Sequence, residues 1–182
     1  MCRKYCIPVY HVNSPENIHK VFSSFEKGSK NLYCTKEEGF WAGNGMYFWD
    51  NKGNAAYWKR TRENRKKLTS ATLMADLLID DDSLLDLTDQ EVLNTVNRLW
   101  PRVAERFNLN NGYYSIGKKI NCICEMIPEI KVVKICGYYP RKKEHSFLEK
   151  EKKRPHVTLK SKIIFCVKAS DRLQDLSIIS LD

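Results

Sequence analysis

No apolar run in the chain approaches the ~20 residues that a membrane-spanning helix needs. Met1 to Pro8 lacks the long apolar stretch of a secretory leader, so none is expected. The seven cysteines are odd in number and scattered. That argues for free thiols in a reducing, cytoplasmic setting and against a disulfide framework. Cys122-x-Cys124 is not zinc spacing, and His11, His19, His145 and His156 form no cluster with it, so no metal is expected. Asp80-Asp81-Asp82 has neither the glycine nor the later glutamate of a calcium loop. Repeats and linkers are absent too, which favours one domain over residues 1–182.

What is present is globular: 42% hydrophobic and 29% charged residues, with a net charge of +9. Lys59, Arg60, Arg62, Arg65, Lys66 and Lys67 form one basic run. A second, from Arg141 to Arg154, is diluted by Glu144, Glu149 and Glu151. Such runs suit nucleic acid through counterion release, with Arg60, Arg62, Arg65 and Lys66 as the candidate contacts. They also suit a solvated basic face, the commoner state of surface lysines.

The densest chemistry lies in Phe40-Trp41-Ala42-Gly43-Asn44-Gly45-Met46-Tyr47-Phe48-Trp49-Asp50, followed by Asn54-Ala55-Ala56-Tyr57-Trp58. Gly43 and Gly45 suit positive φ or the close approach of a ligand. Met46 to Trp49 reads as a short strand, and a helix follows from about Asn54. A glycine pair, an aromatic strand and an aromatic helix can form a slot for a flat ring. The same composition also fits an ordinary aromatic core corner.

Around this stretch, Ile7 to Val12 reads as a strand. Ser14 and Pro15 open a helix with Ile18, Val21, Phe22 and Phe25 on one face. Leu73 to Ile79 reads as a buried strand, and Leu85 to Leu87 as a short extended piece. Thr88-Asp89-Gln90-Glu91 is a capping box, and Pro101 predicts two helices in the segment up to about Leu109. Ser115 caps a helix ending before Pro128. Val132 to Tyr139, His156 to Val167 and Leu173 to Leu181 read as strands. The class is α+β.

In this order the elements resemble the ADP-ribosyltransferase fold of the poly(ADP-ribose) polymerase and diphtheria-toxin clade. Tyr10-His11-Val12-Asn13 is similar to its first-strand His-Gly motif. Gly43-Asn44-Gly45-Met46-Tyr47-Phe48-Trp49-Asp50 is similar to Gly-x-Gly-Ile-Tyr-Phe-Ala-Asp, and Asn54-Ala55-Ala56-Tyr57 to Ser-Ala-Asn-Tyr. The resemblance is specific from about Ile7 to Tyr57. It implies a single domain with a split, antiparallel-rich central sheet flanked by helices. It also implies NAD as substrate. His11 would hold a ribose hydroxyl, Val12 would offer backbone bonds to the nicotinamide amide, and Tyr47 and Tyr57 would sandwich the ring. Gly45 and Asn54, within the second and third motifs, would lie beside the dinucleotide.

Two positions depart from the family pattern. Val12 stands where the family has glycine. The family's late-strand catalytic glutamate is missing, and Lys162 falls in its place. A lysine there would oppose the positive charge that develops on the ribose. Glu125, on the helix before Pro128, is a substitute acid whose pattern puts it on the solvent side. The resemblance therefore implies transfer of single ADP-ribose units to a macromolecule, nucleic acid or protein, catalysed by His11, Tyr47 and Lys162. A toxin or antiviral effector with an inhibitor protein as partner fits the analogy. Two rivals stay open: an NAD-binding or glycohydrolase-like module without transfer, and a nucleic-acid-binding domain whose aromatics stack on bases.

Overall fold

The structure, a computed structural model, describes residues 4–35, 41–109, 114–139, 158 and 160–181. The second basic run, His145, His156 and the Asn110-Asn111-Gly112 loop lie outside them. In chain order the elements are β1 (Lys4–Asn13), α1 (Pro15–Glu26), β2 (Met46–Trp49), α2 (Lys52–Lys66), β3 (Ala71–Asp80) and β4 (Leu84–Asp86). Then come α3 (Gln90–Arg106), α4 (Ile116–Met126), β5 (Val132–Tyr138), β6 (Ser161–Val167) and β7 (Leu173–Ile179). The fold is α+β, with one seven-stranded sheet in the order β4-β5-β6-β2-β1-β3-β7. Among the described strands, only β4 and β5 run parallel.

Side chains alternate across this sheet with the two-residue period of a strand. In β2, Met46 and Phe48 enter one core cluster while Tyr47 and Trp49 face the other. In β6, Phe165 and Val167 go one way and Ile164 and Cys166 the other. Helix α1 presents Ile18 and Val21 to the first cluster, and α4 presents Ile120 and Ile123 to the second. The α1 cap is as expected: Ser14 Oγ accepts from the Asn17 amide, with Pro15 in the first turn.

Two expectations for α3 are corrected. The cap is Asp89, which accepts from the Glu91 and Val92 amides, whereas the Thr88 hydroxyl bonds Asp86. Pro101 lies inside one continuous helix and does not divide it. Proline frees the carbonyl four residues earlier. Here that residue, Asn97, is exposed and so is Pro101, so water can satisfy the carbonyl.

The sheet has a seam. Strands β1 and β3 pair along their whole length, and β2 pairs throughout with β6. Between β1 and β2 the ladder holds a single registered pair, Tyr10 with Trp49. The expected split of the sheet is therefore a gap in one continuous sheet. Past that pair no further residues register, and His11, Val12 and Asn13 of β1 lie buried beside the gap.

Candidate active site

A cavity of about 590 Å³ opens at this seam. Its walls include His11, Val12 and Asn13 from β1, Tyr47, Phe48 and Trp49 from β2, and Trp58 and Arg62 from α2. Tyr33, Thr35, Trp41, Tyr139 and Ile164 complete them. That size suits a small organic ligand, and the lining is mainly aromatic with a few polar groups.

His11 is the polar hub. Its Nδ1 lies 2.7 Å from the Tyr47 carbonyl oxygen. A carbonyl only accepts, so Nδ1 carries the proton. Nε2 then holds a lone pair, and it faces the Asn13 amide nitrogen at 3.3 Å. Asn13 is itself oriented, because its Oδ1 accepts from the Ser14 amide at 2.8 Å and from Arg62 Nη2 at 3.4 Å. Burial pulls the imidazole pKa down to about 4; the Tyr47 bond opposes that shift and the nearby Arg62 charge adds to it. His11 is therefore neutral at pH 7, with a fixed tautomer.

Tyr47 is fixed at both ends. Its hydroxyl donates to the Gly43 carbonyl at 2.6 Å and accepts from the Ala42 amide at 3.1 Å. Burial raises its pKa, so it stays a phenol. The glycine turn beside it is tightly enclosed. Gly43 has φ +74°, and a Cβ there would come within 2.2 Å of Asn121 Oδ1, the atom that accepts from the Asn44 amide. A Cβ on Gly45 would lie 2.5 Å from Cys166 Sγ and 2.8 Å from the Val167 carbonyl oxygen. Gly45 also exchanges backbone bonds with Thr35, which lines the cavity. Its part is to let β2 and β6 approach, and it is not on the cavity wall.

Several expected site residues are elsewhere. Tyr57 is outside the lining, edge-on to Tyr139 at 5.8 Å, and Tyr139 holds the wall position. Lys162 is 2% exposed. Its Nζ donates to Asn54 Oδ1 at 2.5 Å and stands over the Tyr57 ring at 4.8 Å from the centroid. Asn54 in turn donates to Asp50 Oδ1 at 2.7 Å. Lys162 and Asn54 thus form a buried chain behind the aromatic wall and do not line the cavity. Glu125 is exposed on α4, as its pattern suggested. Among the described residues of the lining there is no Asp or Glu.

The basic residues of α2 divide. Arg60 and Arg65 are exposed, and Arg62 turns into the cavity. Tyr139 and Arg62 were not assigned to the site by sequence, and neither had a periodic signal that would have placed it there. Among the described residues no His, Cys, Asp and Glu group could hold a metal, and no helix is long and apolar enough to cross a membrane. The described cysteines are unpaired thiols.

No family model matches the chain, and no curated protein matches it. Among solved structures, a chain in the crystal structure of the M. tuberculosis MbcT–MbcA toxin–antitoxin complex is similar to it. The identity is 8% and the TM-score 0.47, with 98% of this chain and 87% of that chain covered. At that level the likeness says nothing of what this chain does.

Proposed function

We propose that the cavity binds NAD as a substrate and that the chain transfers single ADP-ribose units from it to a macromolecular acceptor. The observation that carries this reading is the bond from His11 to the Tyr47 carbonyl across the gap between β1 and β2. It joins the first two resembling motifs in one cavity, with a neutral imidazole aimed by its neighbours. The Nε2 lone pair can accept a ribose hydroxyl in place of its long bond to Asn13. Tyr47 offers the nicotinamide an aromatic face, and Tyr139, backed by Tyr57, offers another. Val12 lies beyond the one registered β1–β2 pair and lines the cavity, and in this reading its backbone bonds the carboxamide.

In this reading the bond between nicotinamide and the ribose breaks, and its electron pair leaves with the neutral ring. The oxocarbenium-like ribose is then attacked by a lone pair of the acceptor, whose proton passes to solvent. Orientation of the bound ring and ribose supplies the rate enhancement. The basic surface of α2, through Arg60 and Arg65, favours nucleic acid as the acceptor.

Among the described residues of the lining there is no Asp or Glu, which favours a second reading, in which NAD is bound and not transferred. Two measurements separate them: calorimetric titration with NAD, and nicotinamide release followed by chromatography. Binding with release supports transfer or hydrolysis, and labelled NAD with RNA or protein then distinguishes those two. Binding without release selects the second reading. Loss of NAD affinity in Tyr47→Ala with cooperative unfolding retained is expected in both, and unchanged affinity would remove NAD from this cavity.

A further inference from the structure

The basic run of α2 looks from sequence like a single surface, yet one of its members is turned inward. Arg62 is half-buried and lines the cavity. Its Nε donates to Ser70 Oγ at 3.2 Å and its Nη2 to Asn13 Oδ1 at 3.4 Å. Both partners are neutral, and both bonds are long. A guanidinium has five N–H donors, so three remain after these two bonds. Among the described residues no carboxylate lies within ion-pair distance of it. A guanidinium drawn out of bulk water without a counter-charge is costly, and proteins ordinarily pair it. The structure around it is built to hold it in place: Ser70 fixes one side of the fork, and Asn13 ties the other to the His11 imidazole. The Arg62 charge is close enough to help depress the His11 pKa.

We propose that Arg62 is the phosphate-binding residue of this cavity, taking the diphosphate of a dinucleotide, and that it is not part of the nucleic-acid surface formed by Arg60 and Arg65. This rests on the reading of the cavity as a dinucleotide site and adds to it the group that selects phosphorylated ligands. The planar fork matches two phosphate oxygens at once, which an ammonium cannot do. With Asn13 shared between them, Arg62 and His11 place a phosphate and a ribose hydroxyl at a fixed separation on one ligand.

The test is calorimetric titration of the wild type, Arg62→Gln and Arg62→Lys with four probes: NAD, nicotinamide mononucleotide, nicotinamide riboside and ADP-ribose. Melting curves check that the variants are folded. Arg62→Gln should weaken NAD, the mononucleotide and ADP-ribose by about ten- to a hundredfold, the range for a lost hydrogen bond to a charged group. Riboside binding should be unchanged or slightly tighter, since that ligand has no phosphate and is itself cationic. Arg62→Lys should recover only part of the loss. Equal losses for riboside and phosphorylated probes, or none for any, overturn the assignment of Arg62 while the dinucleotide site stands. Wild-type binding of ADP-ribose that depends on Arg62, without binding of the riboside or a gain from nicotinamide, keeps the phosphate site and overturns the nicotinamide reading. A wild type that binds none of the four overturns both.

Discussion

Lys162 and Asn54 lie 108 residues apart and meet at 2.5 Å, ammonium to amide oxygen, beneath the aromatic wall of the cavity. The ammonium also stands 5.9 Å from the Tyr139 ring centroid, so β6 is tied to α2 and to the end of β5. The family resemblance implied that this lysine faces the ribose. Its position gives it instead a part in holding Tyr57 and Tyr139.

A carboxylate at this position would therefore be a poor repair of the missing acid. Lys162→Glu puts a buried negative charge against two aromatic faces and the Asn54 carbonyl, and should cost about 3 kcal/mol or more. Lys162→Met keeps the bulk without the charge and should cost less. Thermal melting ranks the two, and nicotinamide release should not rise in either. Faster release from a Lys162→Glu protein that melts like wild type would return Lys162 to the ribose.

His11 gives the stability a pH dependence. Its folded pKa is about 4, below the ordinary 6.5 of the unfolded chain. Between those values the unfolded state holds the extra proton, so stability is full above about pH 6.5 and falls as the pH drops towards 4. The loss approaches about 3 kcal/mol by linkage. Urea midpoints at pH 7 and pH 4.5 measure it. His11→Asn should shrink the difference between the two midpoints, and an undiminished difference would assign it to other groups.

The two glycines of the turn differ in kind. Gly43→Ala should destabilise by about 1–3 kcal/mol, through strain at φ +74° and a clash with the Asn121 side chain. Adding Asn121→Ala removes the closest contact and leaves the backbone strain and the Gly117 carbonyl oxygen at 3.1 Å, so the pair should cost less than the sum of its members. Gly45→Ala meets the Val167 carbonyl as well as Cys166, and that carbonyl sits in the β6 ladder. Truncating Cys166 to Ala should not rescue it. Additive costs at Gly43 and Asn121 would contradict this geometry.

The outer residues of α2 carry the nucleic-acid prediction. Arg60→Gln with Arg65→Gln should lower the slope of log affinity for single-stranded RNA against log salt by about 1.4, roughly 0.7 for each phosphate no longer neutralised. Affinity for NAD should be unchanged. A wild type that shows no RNA binding at low salt would leave this face merely solvated.

Much of the scaffold was legible because burial imposes a period. Val9, Leu73, Leu77 and Phe165 face one core cluster while neighbours such as Tyr10, Ile164 and Cys166 face the other, and Ile18 and Val21 repeat at helical spacing. Local caps were readable where the donor and acceptor lie within one turn, as at Ser14 and Ser115. Pro101 misled because exposure at Asn97 lets water satisfy the carbonyl that proline frees, which lowers one part of its cost in a helix. The cavity lining was legible where motif order fixes a residue on a strand, as for His11 and Tyr47. It was not legible where the deciding fact is which side chain crosses to another element. Tyr139 outranks Tyr57 on the wall, and Arg62 turns inward while Arg60 stays out, through packing that no spacing encodes.

The sheet is joined across its middle by the Tyr10–Trp49 pair and by one imidazole. On either side, β1-β3-β7 and β4-β5-β6-β2 are laced by their own ladders. In the proposed reading, a molecule lodged in the gap would touch His11 and Val12 on one half and Tyr47 on the other, and so would serve as a missing rung. Filling the site and stiffening the sheet become the same event. Amide protons on the facing edges of β1 and β2 should slow their exchange with solvent together, as two panels do when a pin is pushed through their hinge.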